Sequence, residues 1–562
     1  MPTRWQVSTA PDRVISTLSE LEIELCRQRG IDPEAATAFF DPVYERDIHD
    51  PLLLSDMAQV VDRLYAAITN QRRILVYGDY DVDGISGTAQ LVTVLRRLGA
   101  NVVPFIPHRL AEGYGLQLPV LETLAAEADL FITVDCGISN LEEIAWLKRH
   151  GKEVIVLDHH SFSESGQLPE ADAIVHPRHP QQPYTFPWLA AAGVVWKVCQ
   201  ALLRDPRSPW HGEPDEEKWL LDLAALGTIS DMVPLVGENR LIVRWGLQVL
   251  AHTRRPGLTA LLKKARISST DIDTELLSWR LIPQLNAPGK MDHAQPALDL
   301  LLSTDEVQVA RTLAELEAIN QQRQTQTTRV MKEAEAGLQL SDQPFIFAAN
   351  ESWPAGVVGL VASRLAEKFS RPAIIVGGNG RHAVGSARSP VSVNVLDVLR
   401  LGEEHYLKFG GHARAAGFSL LAQNVPKLEQ TLRERIGPGL TAGTEEVKNA
   451  DATVGCELLN WATLQSLERF APYGEGNRQP RFVVRRLPLI SVRPVGKKQE
   501  HAKYNFMVGG QLVEGIGFGL AAAVPAEAKE VDVLFHLSAN SFNGQRRLQL
   551  HVHDIYESNT IH

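Results

Sequence analysis

Apolar and polar positions along this chain switch between two periods. RILVYG at 73–78 is an unbroken apolar run of strand length, and ISGTAQLVTVLRRLG at 85–99 carries apolar residues at helical spacing up to Gly99. NVVPFI repeats the strand signal and LPVLETLAAEA the helix signal. DLFITV (129–134) is again a strand, 139–150 a helix and EVIVLD (153–158) a strand. Alternating elements with continuous apolar strands predict a parallel sheet buried between helices. A helix over 55–70, capped by Ser55 or Asp56, precedes this rhythm. Helical segments at 189–203, 217–229 and 238–252 carry the first α/β domain from 51 to about 303, behind an N-terminal helical segment at 1–50.

Residues 304–337 read as one long helix, with Thr304 as its cap and Val309, Leu313, Leu316 and Ile319 on one stripe. It connects to a second, smaller α/β domain at 338–440. GPGLTAGTEEVKNA (437–450) has the composition of a linker, and 451–562 contains short alternating strands and turns expected of a small β-barrel. The fold class is therefore α/β, with a barrel appended.

At 562 residues the chain has room for three or four domains, and 44% apolar with 22% charged residues is ordinary globular usage. The longest apolar segment, Leu189 to Cys199, contains Lys197 and falls short of the ~18–20 residues that span a bilayer. The opening MPTRWQVSTAPDR lacks the apolar stretch of a signal peptide. Four widely spaced cysteines form neither a disulfide framework nor a zinc knuckle, so a cytoplasmic location is expected. The net charge of −11 argues weakly against nucleic acid. Its distribution argues the other way: Arg478 to Lys503 holds eight basic residues against Glu500 alone. Phe482, Tyr504 and Phe506 interleave with them, as in a groove that stacks bases, although a solvated strand face has the same composition.

The richest chemistry lies in GDYDVDG (78–84), VDCG (134–137), DHH (158–160) and SDMVP (230–234). The first three follow apolar strands directly, and parallel strands end on a common edge where open α/β sheets bind ligands. Asp79, Asp81, Asp83, Asp135, Asp158, His159 and His160 should converge there, with Asp231 after an apolar helix. Two carboxylates ~4 Å apart repel by ~4 kcal/mol at an effective dielectric of ~20, so such a cluster demands cations. Carboxylates with one or two imidazoles fit Mg²⁺ or Mn²⁺, the nitrogen favouring Mn²⁺.

These motifs, in this order, resemble the DHH phosphoesterase superfamily, and the wider chain resembles the RecJ family of single-strand-specific DNA exonucleases. IPHRLAEGYGL (106–116), LAALGTISDMVPLVGENR (223–240), LNAPGK (285–290), VVGLVASRL (357–365), GSARS (385–389), FGGHARAAGF (409–418) and PYGEGN (472–477) carry the likeness across roughly 40–560. Two departures stand out. Trp353 is followed by Pro354 and Ala355 where the family commonly has Trp-His, and Lys290 replaces an arginine whose planar fork lysine cannot reproduce.

The resemblance implies two-metal hydrolysis of single-stranded DNA from its 5′ end, releasing mononucleotides, in DNA repair and recombination. It assigns Asp79, Asp81, Asp83, Asp135, His159 and Asp231 to two Mn²⁺ or Mg²⁺ ions, with Asp135 bridging. His160 would face the phosphoryl oxygen and Asp158 would orient a histidine; simple packing is the bland alternative for His160. Arg109, Ser386, Arg388, Gly410, Gly411 and His412 would grip the strand, with GSARS offering backbone N–H groups to an anion, although glycine-rich stretches are often plain turns. The barrel resembles an OB fold. Expected partners are single-stranded DNA, a helicase and a single-strand-binding protein, with no membrane and a monomeric chain. A phosphodiesterase for short oligonucleotides or cyclic dinucleotides, and a non-catalytic replication relative, are the alternatives.

Overall fold

The computed structural model describes residues 5–8, 13–108, 115–163, 165–181, 183–213, 215–338, 344–378, 380–390, 393–436, 447–525, 527–542 and 545–558. These form two compact units. The larger comprises the described parts of 49–233 and 242–444. Its first sheet runs in the order Asn101–Phe105, Arg73–Gly78, Leu130–Val134, Glu153–Leu157, Ala173–Val175, with every pair parallel. The expected buried parallel sheet is present, extended by Ala173–Val175, which is too short to carry a periodic signal. Leu130, Phe131, Ile132 and Val134 are fully buried, as an unbroken apolar strand requires.

The helix after the first strand spans Val82–Arg97, starting three residues before the apolar periodicity does. Asp81 caps it, its Oδ1 accepting the N–H groups of Asp83 (2.9 Å) and Gly84 (3.2 Å). The helix Met57–Thr69 receives no side-chain cap from Asp56, which instead accepts the Ile174 N–H at 2.9 Å. The long helix is Glu306–Ala336, and its cap is Asp305 rather than Thr304, accepting the Gln308 N–H at 2.7 Å. Beyond it lies a second sheet in the order Tyr406–His412, Ala415–Leu421, His382–Arg388, Ala373–Gly377, Ile346–Ala349, with only the last pair parallel.

The smaller unit comprises the described parts of 1–48, 234–241 and 445–562. Phe482–Val495, His501–Val508, Gln511–Gly517, Gln545–Glu557 and Glu530–Phe542 pair in that order, and Glu530–Phe542 returns to Phe482–Val495 to close a five-stranded barrel. The N-terminal segment is not purely helical. Trp5–Val7 pairs with Lys448–Ala450 and Val14–Ile15 with Ala452–Val454, both parallel. Ile15, Leu21 and Leu25 are fully buried in the same core as Phe470 and Phe482. The aromatic residues expected to stack bases do not do so: Phe482, Tyr504 and Phe506 are buried in that core. On His501–Val508 the side chains alternate sides, sending Tyr504 and Phe506 inward while Lys503 and Asn505 turn outward. Among the described residues no helix is long and apolar enough to cross a membrane.

Candidate metal centre

The shared edge of the first sheet collects the acidic motifs as expected. Asp79 follows the first strand, its N–H bonded to Val134 O at 3.1 Å. Asp83, in the first turn of Val82–Arg97, is 1% exposed and accepts the N–H groups of Ala191 (2.8 Å) and Ala192 (2.9 Å) at the start of the next helix. A Cβ on Gly227 would lie 2.5 Å from Asp83 Oδ1, so glycine lets the helix Leu221–Ser230 close on the site. That helix delivers Asp231 at its C-terminal end. Asp135 sits at φ +64°, a left-handed conformation costly for a non-glycine residue and found disproportionately at functional sites.

His159 Nε2 lies 3.3 Å from Asp135 Oδ1, 3.6 Å from Asp231 Oδ2 and 3.7 Å from Asp83 Oδ2. Donor atoms of Asp79, Asp81 and Asp135 all fall within 4.8 Å of one another, as do those of Asp83, His159 and Asp231, and those of Asp135, His159 and His160. Asp135 and His159 each belong to two of these groups. Asp158 is engaged differently. Its Oδ1 accepts the N–H groups of His159 (2.7 Å) and His160 (3.1 Å) and lies 2.8 Å from His160 Nδ1, while Oδ2 accepts the Ile138 N–H at 3.0 Å.

The electrostatics follow from crowding without solvent. Burial, then the neighbouring carboxylates, push Asp83 and Asp135 well above the usual carboxylate range. Burial and Asp81 raise Asp231 to about 7. Burial and the neighbouring His160 depress His159 to about 3, so its imidazole is neutral and able to ligate. Burial opposes a charge on His160, but the bond to Asp158 and that carboxylate's charge outweigh it and raise His160 to about 9. Burial likewise acts to raise Asp158, yet His160 holds it below the ordinary range. The residues fit a divalent metal centre. The buried His159 Nε2 makes no hydrogen bond among the described residues and faces three carboxylates. Oxygen donors with one imidazole match hard or borderline divalent ions.

The expected strand-gripping residues are only partly brought together. Ser386 and Arg388 line a cavity of about 350 Å³ with Lys290, Gly359 and Ser363, and Arg388 Nη1 donates to Ser386 Oγ at 2.7 Å. GSARS does not cradle an anion with backbone N–H groups. It forms the strand His382–Arg388, paired on both sides, so its backbone donors belong to the ladder. Gly410, Gly411 and His412 are exposed on the edge strand Tyr406–His412 and are not part of that cavity's lining. Arg109 lies outside the described residues. At the first departure, Trp353 is buried and donates to Glu333 Oε2 at 2.7 Å, and Pro354, which follows it in place of the family's histidine, is the N-cap of Ala355–Phe369. Lys290, the other, keeps its place at the cavity.

Sequence reasoning singles out LNAPGK without giving Asn286 a role. Asn286 Oδ1 accepts the Val82 N–H at 3.0 Å and its Nδ2 donates to Ser230 Oγ at 3.3 Å. Both partners are immediate neighbours of acidic residues of the cluster.

Comparison with known proteins agrees with this geometry. Residues 73–228 match the DHH family, N-terminal domain, residues 342–437 the DHHA1 domain and residues 450–554 the RecJ OB domain. The single-stranded-DNA-specific exonuclease RecJ of Bacillus subtilis strain 168 is 34% identical over 575 aligned residues, covering 98% of this chain and 70% of that protein. The crystal structure of RecJ from Thermus thermophilus in complex with Mn²⁺ superposes with a TM-score of 0.82 at 28% identity, covering 99% of this chain and 80% of that one. The Mg²⁺ complex from the same organism gives 0.74 at 27% identity, covering 99% and 79%. The fold and site thus define a DHH-type, metal-dependent phosphoesterase. Within that class, the chain belongs to the RecJ family.

Proposed function

We propose that this protein is a single-stranded-DNA-specific exonuclease that hydrolyses phosphodiesters from the 5′ end and releases mononucleotides, in DNA repair and recombination. The observation that carries the reading is the convergence of three carboxylates, Asp83, Asp135 and Asp231, on the neutral His159 Nε2, with Asp79 and Asp81 grouped around Asp135, in a chain of this family. Asp79, Asp81, Asp83, Asp135, His159 and Asp231 would hold two Mn²⁺ or Mg²⁺ ions, and Asp135, which belongs to two of the donor groups, is the residue suited to serve both. When bound, such a pair supplies an ionised water and charge stabilisation for the departing oxygen.

The chain's own groups do the rest. His160, protonated at neutral pH and 40% exposed at its side chain, donates to a phosphoryl oxygen as negative charge develops. Asp158 fixes its ring through Nδ1 and keeps the proton in place. Ser386 and Arg388 take a phosphate in their cavity, and Arg109, Gly410, Gly411 and His412 add contacts along the strand. The barrel contributes its basic outer strand surface to the polymer. A helicase and a single-strand-binding protein supply the substrate, and one copy of the chain, working in the cytoplasm, carries every group the reaction uses.

The test is a long 5′-labelled single strand with Mn²⁺ or Mg²⁺. Immediate appearance of labelled mononucleotide is expected. Inertness toward long strands, with cleavage of short oligonucleotides or cyclic dinucleotides, would replace this reading with the smaller-substrate one.

A further inference from the structure

Two chain segments outside the strands deliver three of the five carboxylates of the metal centre. One is the start of Val82–Arg97, flanked by Asp81 and Asp83; the other is the end of Leu221–Ser230, followed by Asp231. A helix start leaves its first N–H groups without intrahelical partners. Asp81 Oδ1 takes those of Asp83 and Gly84, and Asn286 Oδ1 takes that of Val82. The other end of the Asn286 amide donates to Ser230 Oγ. One planar side chain thereby spans the two segments.

The backbone around Asn286 is fitted to the same purpose. Asn286 opens the short helix Ala287–Met291. A Cβ on Gly289 of that helix would lie 2.5 Å from Tyr80 O, so the helix presses on the loop between Asp79 and Asp81. At its far end a Cβ on Gly356 would lie 1.8 Å from Lys290 O, so the helix Ala355–Phe369 of the second α/β domain abuts the same segment. Residues 286–290 are therefore wedged between the acidic loop and the domain that carries Ser386 and Arg388.

We propose that Asn286 is a positioning residue for the metal centre, its amide holding the Asp81–Asp83 turn and Asp231 at the separation that the two ions require. The inference rests on the metal-centre reading above. Ligand distances in a metal site tolerate only ~0.2 Å. The two helices pack together where Gly227 meets Asp83, and the Asn286 amide adds a hydrogen-bonded tie between Val82 and Ser230, next to the remaining ligands Asp81 and Asp231. Groups that orient ligands without touching the metal typically contribute about 10- to 100-fold in metal affinity.

The experiment is Mn²⁺ binding to the full chain, read from the electron paramagnetic resonance of free Mn²⁺, with melting of the metal-free chain measured alongside. Asn286→Ala is expected to bind Mn²⁺ about 10- to 100-fold more weakly while the metal-free melting temperature is preserved. Asn286→Asp keeps an acceptor for Val82 and can accept from the Ser230 hydroxyl, and should stay close to wild type. Wild-type affinity in N286A overturns the inference, as does an equal loss in N286D. If N286A does not fold, Ser230→Ala decides instead: weaker Mn²⁺ binding supports the inference and unchanged binding overturns it. A wild-type chain that takes up no Mn²⁺ overturns the metal-centre reading and this inference together, whereas tight binding by both wild type and N286A overturns the inference alone.

Discussion

The acidic edge of the parallel sheet and the basic strand surface of the barrel handle charge in opposite ways. At the edge, carboxylates separated by many residues in sequence are gathered and buried, with Asp135 only 2% exposed. On the barrel, basic residues close together in sequence are spread over the outside, and the aromatic residues between them turn into the core. The difference comes from strand direction and side-chain alternation. Parallel strands send all their C-terminal ends to one side, so whatever follows each strand meets its counterparts. Along a half-buried strand, sequence neighbours part to opposite faces. Concentrated buried charge calls for compact divalent ions. The dispersed charge, partly compensated by Asp532 on Arg485 and Glu475 on Arg478, suits a long polyanion.

The sharpest way to break this contrast is at the edge. Asp135→Ala should lower single-turnover cleavage of a short strand by several orders of magnitude at saturating Mn²⁺, with circular dichroism unchanged. Retained cleavage would remove Asp135 from the centre.

The buried acids also make a prediction about pH. Asp231 at about 7 and His160 at about 9 both lie above their unfolded values, as do Asp83 and Asp135. Protonation of such groups favours the folded state, and that contribution is lost as pH rises through the folded value. His159, depressed to about 3, acts in the opposite sense only below its ordinary value of 6.5. Between the folded values of Asp231 and His160, the metal-free chain should therefore melt at higher temperature as pH falls from about 9 to about 7. Saturating Mn²⁺, which competes with these protons, should flatten or reverse the trend. A metal-free melting temperature independent of pH across this window would contradict the buried-charge account.

A smaller effect is expected where charge is half-buried. Arg388→Ala should weaken 5′-phosphorylated strands more than 5′-hydroxyl strands, by roughly 1.5–3 kcal/mol for one charge-assisted hydrogen bond. Dissociation constants measured with Ca²⁺ at fixed salt decide this, and equal losses would make Arg388 a generic backbone contact. Smallest of all, replacing exposed Arg493, Lys497 and Lys498 with alanine should leave Mn²⁺ binding untouched. It should reduce the salt slope of single-strand binding by up to ~2, at ~0.7 per phosphate contact. An unchanged slope would mean that this part of the barrel surface does not meet the strand.

What can be read from the sequence follows the same division. The strands Arg73–Gly78, Leu130–Val134 and Glu153–Leu157 announce themselves as apolar runs, and each leads directly into an acidic motif, so the edge is legible. The true start of Val82–Arg97 is not, because D-V-D-G carries no apolar period and helix initiation there rests on a capping bond. GSARS resembles an open turn because small residues suit both turns and tightly packed central strands. Asn286 acts on Val82 and Ser230, 204 and 56 residues away, and no spacing rule reaches that far. The N-terminal segment reads as helical when taken alone, whereas Ile15, Leu21 and Leu25 share a core with the barrel. Cutting the chain after residue 440 would therefore strip these side chains of their cover and is a poor way to isolate the enzyme's catalytic half.

That shared core has a consequence for how the protein is made. Val14 pairs with Thr453, so a strand near the start of the smaller unit is synthesised more than four hundred residues before its neighbour exists. At ~5–20 residues per second, the ribosome leaves the Leu21 and Leu25 helix waiting for roughly 20–90 s. During that interval its greasy stripe is a natural client for a nascent-chain chaperone. A polypeptide ending anywhere in the long middle of the chain would leave Ile15, Leu21 and Leu25 without the barrel residues that cover them.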